Sequence, residues 1–174
     1  QLDWYLLQQP LNQKIHRFFK EINAFYKKEP ALWEIDFSWE GFEWLVPDDN
    51  HNNVVVFLRK DKKGRDLLCA VNFSPNTYDR MGVPSHRRYV PVFNTDDPVY
   101  GGDGFGDAAA VVVEAIPSHG KEYSAAIRIP AFGAVFLRGE GTLPKPRKKK
   151  QVKEVQTVKA SVKEANEAKE LEKT

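Results

Sequence analysis

Val54-Val55-Val56-Phe57-Leu58-Arg59, the turn formers Asp61-Lys62-Lys63-Gly64, and then Leu67-Leu68-Cys69-Ala70-Val71-Asn72-Phe73 are the stretch that decides the fold. Both runs are short and apolar, the first is rich in β-branched residues, and the segment between them tolerates tight and left-handed backbone. The pattern predicts two strands joined by a turn. Outward from this pair the same grammar repeats. Residues 42–46, 88–93, 123–129 and 134–138 read as further strands, and Asp48-Asp49-Asn50-His51-Asn52-Asn53 supplies another polar turn. Short strands at near-regular intervals, with no helices alternating between them, predict an antiparallel sandwich or barrel of about seven or eight strands. Residues 108–116 fit a strand, through the β-branched Val111-Val112-Val113, or a short helix, through the alanines before it, and the strand is favoured; residues 78–84 fit either a strand or an irregular loop.

Upstream of the strands the period changes from two to 3.6. Ile15, Phe18, Phe19, Ile22, Phe25 and Tyr26 fall on one face of a helix, with Asn12 as the expected N-cap and Pro30 as the stop. One amphipathic helix cannot bury such a face alone. Because the chain opens at Gln1 without an initiator Met, it reads as a piece of a longer protein, with part of the helix's partner surface upstream.

Downstream, residues 145–174 hold ten basic and five acidic residues, leaving 16 basic and 19 acidic before them. The net charge of +2 therefore divides into +5 and −3, and the basic isoelectric point describes a tail rather than the domain. Its stripe of Val152, Val155, Val158, Val162, Ala165, Ala168 and Leu171 is weak because Val and Ala carry it, so a solvated or partly helical extension is favoured over a coiled coil. Clustered Lys and Arg can bind phosphates, but a core at −3 offers no matching basic surface, and no nucleic-acid partner is expected.

Hydrophobic residues at 41% and aromatics at 12% place the rest among globular domains with one core. Cys69, the only cysteine, lies in an apolar run and reads as a buried thiol. Nothing resembles a signal peptide, and no apolar run approaches the roughly 20 residues that span a bilayer. A reducing cytoplasmic setting without membrane contact is the expectation. The Asn72-Phe73-Ser74 sequon then reads as coincidental.

Catalytic chemistry is hard to place. A glycosidase-type site needs two carboxylates facing each other on rigid elements, whereas Asp48, Asp49, Asp96, Asp97, Asp103 and Asp107 read as turn formers and solvated charges. His16, His51, His86 and His119 are dispersed, and none forms a metal-ligand pair. Gly104-Phe105-Gly106-Asp107-Ala108-Ala109 formally fits Gly-x-Gly-x-x-Ala, yet Asp96-Asp97-Pro98 precedes it where a dinucleotide fingerprint needs a buried strand. It reads as a loop. No catalytic, cofactor-binding or metal residue is assigned.

The aromatic residues carry the one functional signal. Trp33, Trp39, Phe42 and Trp44 cluster where the helix gives way to the strands. A flat exposed indole can stack on the apolar C–H face of a sugar ring. Trp33 is expected to fill the junction core; Trp44 and Trp39 are the candidate glucan contacts. Strict alternation puts Phe42 and Trp44 on one face, which favours burial unless a break or twist near Val46-Pro47 exposes the indole at a sheet edge.

Read in order, Leu2-Asp3-Trp4-Tyr5-Leu6-Leu7, Pro30-Ala31-Leu32-Trp33-Glu34, Gly41-Phe42-Glu43-Trp44, Asn72-Phe73-Ser74-Pro75, Asn94-Thr95-Asp96, Tyr100-Gly101-Gly102 and Ser118-His119-Gly120 resemble the end of bacterial glycogen branching enzymes of the α-amylase clan. The resemblance spans residues 2–138. It implies a mainly β fold: an antiparallel β-sandwich of the α-amylase C-terminal all-β type, preceded by the last helix of a (β/α)₈ barrel. The implied domains are residues 1–29 as the end of that catalytic barrel, 30–140 as the sandwich and 141–174 as a Lys/Glu-rich tail without a counterpart in the family. The family's aspartate nucleophile, glutamate acid/base and further aspartate would all lie upstream of Gln1. The implied parent reaction cleaves an α-1,4-glucan and transfers the chain to a 6-hydroxyl, without metal or organic cofactor. The expected partners are α-glucan and the missing barrel. A stand-alone carbohydrate-binding sandwich is the alternative, and the helix seeking a second surface argues against it.

Overall fold

The computed structural model describes residues 3–141, so the expectations for the charged tail and for Gln1 and Leu2 lie outside the described residues. Eight strands occur among the described residues: β1 Phe42–Asp49, β2 Val54–Lys60, β3 Asp66–Asn72, β4 Tyr78–Pro84, β5 Arg88–Asn94, β6 Val113–Glu114, β7 Ser124–Ile129 and β8 Ala134–Glu140. They form a five-stranded sheet in the order β1-β2-β3-β8-β5 and a three-stranded sheet in the order β4-β7-β6, with every pairing antiparallel. The turn at 61–64 does join β2 to β3, in register from Val54 opposite Asn72 to Lys60 opposite Asp66. Residues 78–84 are a strand.

The two sheets face each other across the main core. From the larger sheet come Val46, Val56, Leu58, Leu68, Ala70, Tyr89 and Leu137, and from the smaller Val83, Ala125, Ile127 and Ile129, all buried. Alternation along β3 sends Leu68 and Ala70 into this core and turns Leu67 and Cys69 to the other face. That face is covered too. Leu67 and Cys69 pack beneath Ala31, with Leu32, Phe25, Phe57, Val92 and Phe136 around them, which is why β3 reads as a continuous apolar run instead of an alternating one.

The cover is the helix α1, Pro10–Lys28, followed by a 3₁₀ turn at Pro30–Leu32. The helix starts at Pro10 and not after Asn12. Proline's fixed φ and missing N–H suit the first helical turn, Gln9 takes the cap position, and Asn12 instead donates its side-chain amide to the Leu6 carbonyl at 2.9 Å. Phe25 stacks on Phe93 at 5.0 Å and meets Phe136 at 5.4 Å, while Phe18 meets Phe93 and Tyr100. The Tyr100 hydroxyl donates to Glu21 at 2.6 Å. Arg138 of β8 forks onto the buried Glu29 at the helix's C-terminal end, so the outer layer is held by charge as well as packing. Only half of the apolar stripe is used: Leu11, Ile15, Phe19 and Tyr26 remain exposed.

Residues 108–116 depart from the strand expectation, because only Val113 and Glu114 belong to β6. Val111 exchanges two backbone bonds with Tyr89 of the larger sheet, whereas Val113 pairs with Ala125 of the smaller one. The chain crosses between sheets within two residues, so no continuous ladder can form.

The β2–β3 turn yields a pH prediction. Asp61, its side chain fully buried, accepts from the backbone N–H groups of Lys63 and Arg65 and from the Arg65 guanidinium. Burial pushes its carboxyl upward, but these bonds outweigh burial and hold it below its ordinary value. A folded pKa below the unfolded one gives stability that is present above the ordinary carboxylate range and lost as pH falls through the folded value. Asp61→Asn should therefore cost about 1.5–3 kcal/mol at neutral pH and much less in acid. Urea unfolding at pH 7 and pH 3 checks this; an equal cost at both would contradict it.

Candidate functional site

β1 is an edge strand, and its register places its aromatic residues in rows that cross the outer face of the larger sheet. Trp44 lies opposite Phe57, Phe57 opposite Cys69, Cys69 opposite Phe136, and Phe136 opposite Phe93. The adjoining row runs Phe42, Arg59, Leu67, Arg138 and Val90. Helix α1 and the 30–32 turn roof the centre and the β5 side of these rows. The β1 end stays open, and there Trp44 is 51% exposed.

The indole of Trp44 is partly seated. Its ring meets Phe42 edge to face at 4.9 Å and Phe57 at 5.8 Å, and Phe42 stacks on Phe57 at 5.3 Å. Phe42 and Trp44 do share a face, as alternation requires, and their rings lie side by side in one platform, Phe42 half-buried and Trp44 exposed. A β-bulge follows. The register shifts between Trp44 and Val46, so Leu45 and Val46 both turn into the core while Trp44 stays out.

Trp39 opens the 3₁₀ turn Trp39–Gly41 that feeds β1, and it is 86% exposed. Ser38 caps this turn by accepting from the Glu40 N–H. Gly41 is required by contact: a Cβ there would lie 2.0 Å from the Ile35 carbonyl oxygen. Trp33, expected in the junction core, is 43% exposed, because Ala31 is the residue that the 30–32 turn presses onto the sheet. Phe37 is exposed as well.

Arg59 ties this region together, a role that sequence reading missed because only the register reveals it. Its guanidinium donates to the carbonyls of Ala31 (3.4 Å) and Leu32 (3.2 Å) and to Asp36 Oδ1 (2.6 Å), and lies 6.0 Å from the Phe42 ring centre. Alternation turns Glu43 away from Trp44, where Lys60 donates to it at 2.6 Å. Burial pushes the Glu43 carboxyl upward, yet Lys60, with smaller help from His86 and Lys121, holds the group below its usual value.

Asp66, Asp96 and Asp107 have structural duties. Asp66 is buried, accepts from the Tyr89 hydroxyl and fills the space where a Cβ on Gly139 would stand, and burial holds its carboxyl above the ordinary value. Asp107 accepts the Arg128 N–H, and Asp96 accepts those of Asp103 and Phe105 to shape the glycine-rich loop. That loop leads into no helix, so the dinucleotide reading has no geometry behind it. Cys69 is buried, and burial pushes its thiol up to about 12. Among the described residues no three His, Cys, Asp or Glu side chains converge on a metal position, and no helix is long and apolar enough to cross a membrane.

Against known proteins, the family model described as the alpha amylase C-terminal all-beta domain matches residues 44–140. Similar curated proteins include the 1,4-alpha-glucan branching enzyme GlgB of Desulfitobacterium hafniense (strain Y51) and that of Aquifex aeolicus (strain VF5), each 41% identical over 143 residues, which is 80% of this chain and 23% of theirs. The enzyme of the same name from Burkholderia pseudomallei (strain 668) is 40% identical over 137 residues, 78% of this chain and 19% of its own. The chain thus spans about a fifth of the length of these relatives.

Proposed function

Since this chain belongs to the α-amylase C-terminal all-β domain family, we propose that it is the accessory β-sandwich of a 1,4-α-glucan branching enzyme and makes a non-catalytic glucan contact through Trp44, with Trp39 beside it. The parent would cleave an α-1,4-glucan onto an aspartate and pass the chain to a 6-hydroxyl, with retention. The supporting observation for the contact is the open end of the aromatic rows, where an edge strand presents a half-exposed indole beside two phenylalanines. For the accessory role, support comes from relatives that share the name and are about four times as long.

In this reading residues 1–29 close a catalytic (β/α)₈ barrel, 30–140 are the sandwich and 141–174 a charged tail. Leu11, Ile15, Phe19 and Tyr26, the uncovered half of α1, would face that barrel. This favours an accessory domain over a stand-alone carbohydrate-binding module, which has no need of a second apolar surface. A cytoplasmic setting fits a single buried thiol.

Two measurements test the proposal. The chain alone should leave iodine staining and reducing-end assays on amylose at baseline, because in this reading the carboxylates that carry the transfer belong to the barrel and not to the sandwich. In native gels its migration should be retarded by amylose. Turnover by a pure sample would contradict the accessory role, and unretarded migration would contradict the glucan contact.

A further inference from the structure

We infer that the platform takes a linear α-glucan segment lengthwise, across Trp39 and Trp44 together, and that Arg59 is the positioning residue that fixes the pair. The inference rests on the Trp44 reading above and asks what length of sugar the site accepts.

The two indoles stand on successive elements, Trp39 on the 3₁₀ turn and Trp44 two residues into β1, so they offer two separate stacking faces. Five residues of chain keep them within about 18 Å. Neither is held by its own burial, since both are more than half exposed. What holds them is the backbone beneath. From one side Gly41 seats the turn against the Ile35 carbonyl. From the other, Arg59 bonds to Ala31, Leu32 and Asp36, the segment that leads to Trp39, while sitting opposite Phe42, whose ring meets Trp44 edge to face. One guanidinium, its side chain 13% exposed, therefore anchors the carriers of both indoles.

The charge around the platform gives a phosphate little hold. Arg59 is already paired with Asp36, Glu43 is turned to the other face against Lys60, and Glu40 is exposed. Exposed carboxylates such as Glu40 accept hydrogen bonds from hydroxyl groups and repel phosphates, so stacked sugars fit here and stacked nucleobases do not.

The test is the dependence of affinity on chain length, measured by titration calorimetry with maltotriose and maltoheptaose on the 174-residue chain and on Trp39→Ala, Arg59→Lys and Asp36→Asn, with folding checked by circular dichroism. The unmodified chain should bind the heptaose several-fold more tightly than the triose. Trp39→Ala and Arg59→Lys should lose that gain, and Asp36→Asn, which takes the charge out of one of three bonds, should lose part of it. If Arg59→Lys fails to fold, Asp36→Asn decides in its place, and a full gain retained there overturns the role of Arg59. A full gain retained in a folded Arg59→Lys, or in Trp39→Ala, overturns the inference. Length-independent binding that still requires Trp44 overturns the inference but spares the Trp44 reading, whereas no binding of either sugar by the unmodified chain overturns both.

Discussion

Truncating Leu67 to alanine is expected to destabilise the domain by about 2–5 kcal/mol, as much as truncating its neighbour Leu68. In a sandwich with one wet face, two adjacent strand residues should differ sharply, because one points into the core and the other into water. Here both are fully buried. Leu68 enters the core between the sheets, and Leu67 enters a second core under Ala31 and the 30–32 turn, between Arg59 and Arg138 in the neighbouring strands. The two arginines hold that cover down through Ala31, Leu32, Asp36 and Glu29. Removing three side-chain carbons beneath a clamped layer leaves a cavity that the layer cannot easily collapse to fill. Urea unfolding of both variants decides the matter. A loss below about 0.5 kcal/mol for Leu67→Ala, the size typical of surface positions, would mean that the helical layer does not stay docked.

The same strand shows how far the sequence could be read. The turn at 61–64 and the apolar runs beside it were sufficient for β2 and β3, but they were read only as strands, and the cover on both faces that explains the unbroken run from Leu67 to Val71 emerges from the packing. The extent of α1 was legible from its period, but its start was not, because Asn12 looks like a cap while Pro10 has the better claim to the first turn. Residues 108–116 were misread because propensity is local and their pairing is not: Val111 and Val113 serve different sheets.

At the site, alternation correctly put Phe42 and Trp44 on one face. It could not say that this face is roofed at one end and open at the other, since that depends on where α1 docks. The break allowed for near Val46-Pro47 takes the form of two register shifts, one between Trp44 and Val46, where Leu45 is the extra residue, and one between Val46 and Asp49, which spans Pro47. Pro47 marks the second, whereas no glycine or proline marks the first, so sequence alone gives that one no signature. Arg59 was invisible for a related reason. A charged residue ending a strand reads as solvated until the pairing sets it under the 31–36 segment.

Trp44→Ala bears hardest on the glucan contact, because that contact requires an indole that serves a ligand more than it serves the fold. The side chain is half exposed and gives up only edge contacts with Phe42 and Phe57, so its removal should cost no more than about 1.5 kcal/mol of stability, against about 3–5 for a tryptophan in a core. Binding should suffer far more, since the platform loses its solvent-facing ring and Phe42 is half-buried. The measurement is affinity electrophoresis in amylose gels of the unmodified chain and Trp44→Ala, with urea midpoints taken on the same samples. The expected result is a variant that stays folded and migrates as if amylose were absent; a folded variant that is retarded as strongly as the unmodified chain, or one unfolded by the loss of a core residue, would contradict the glucan contact at Trp44.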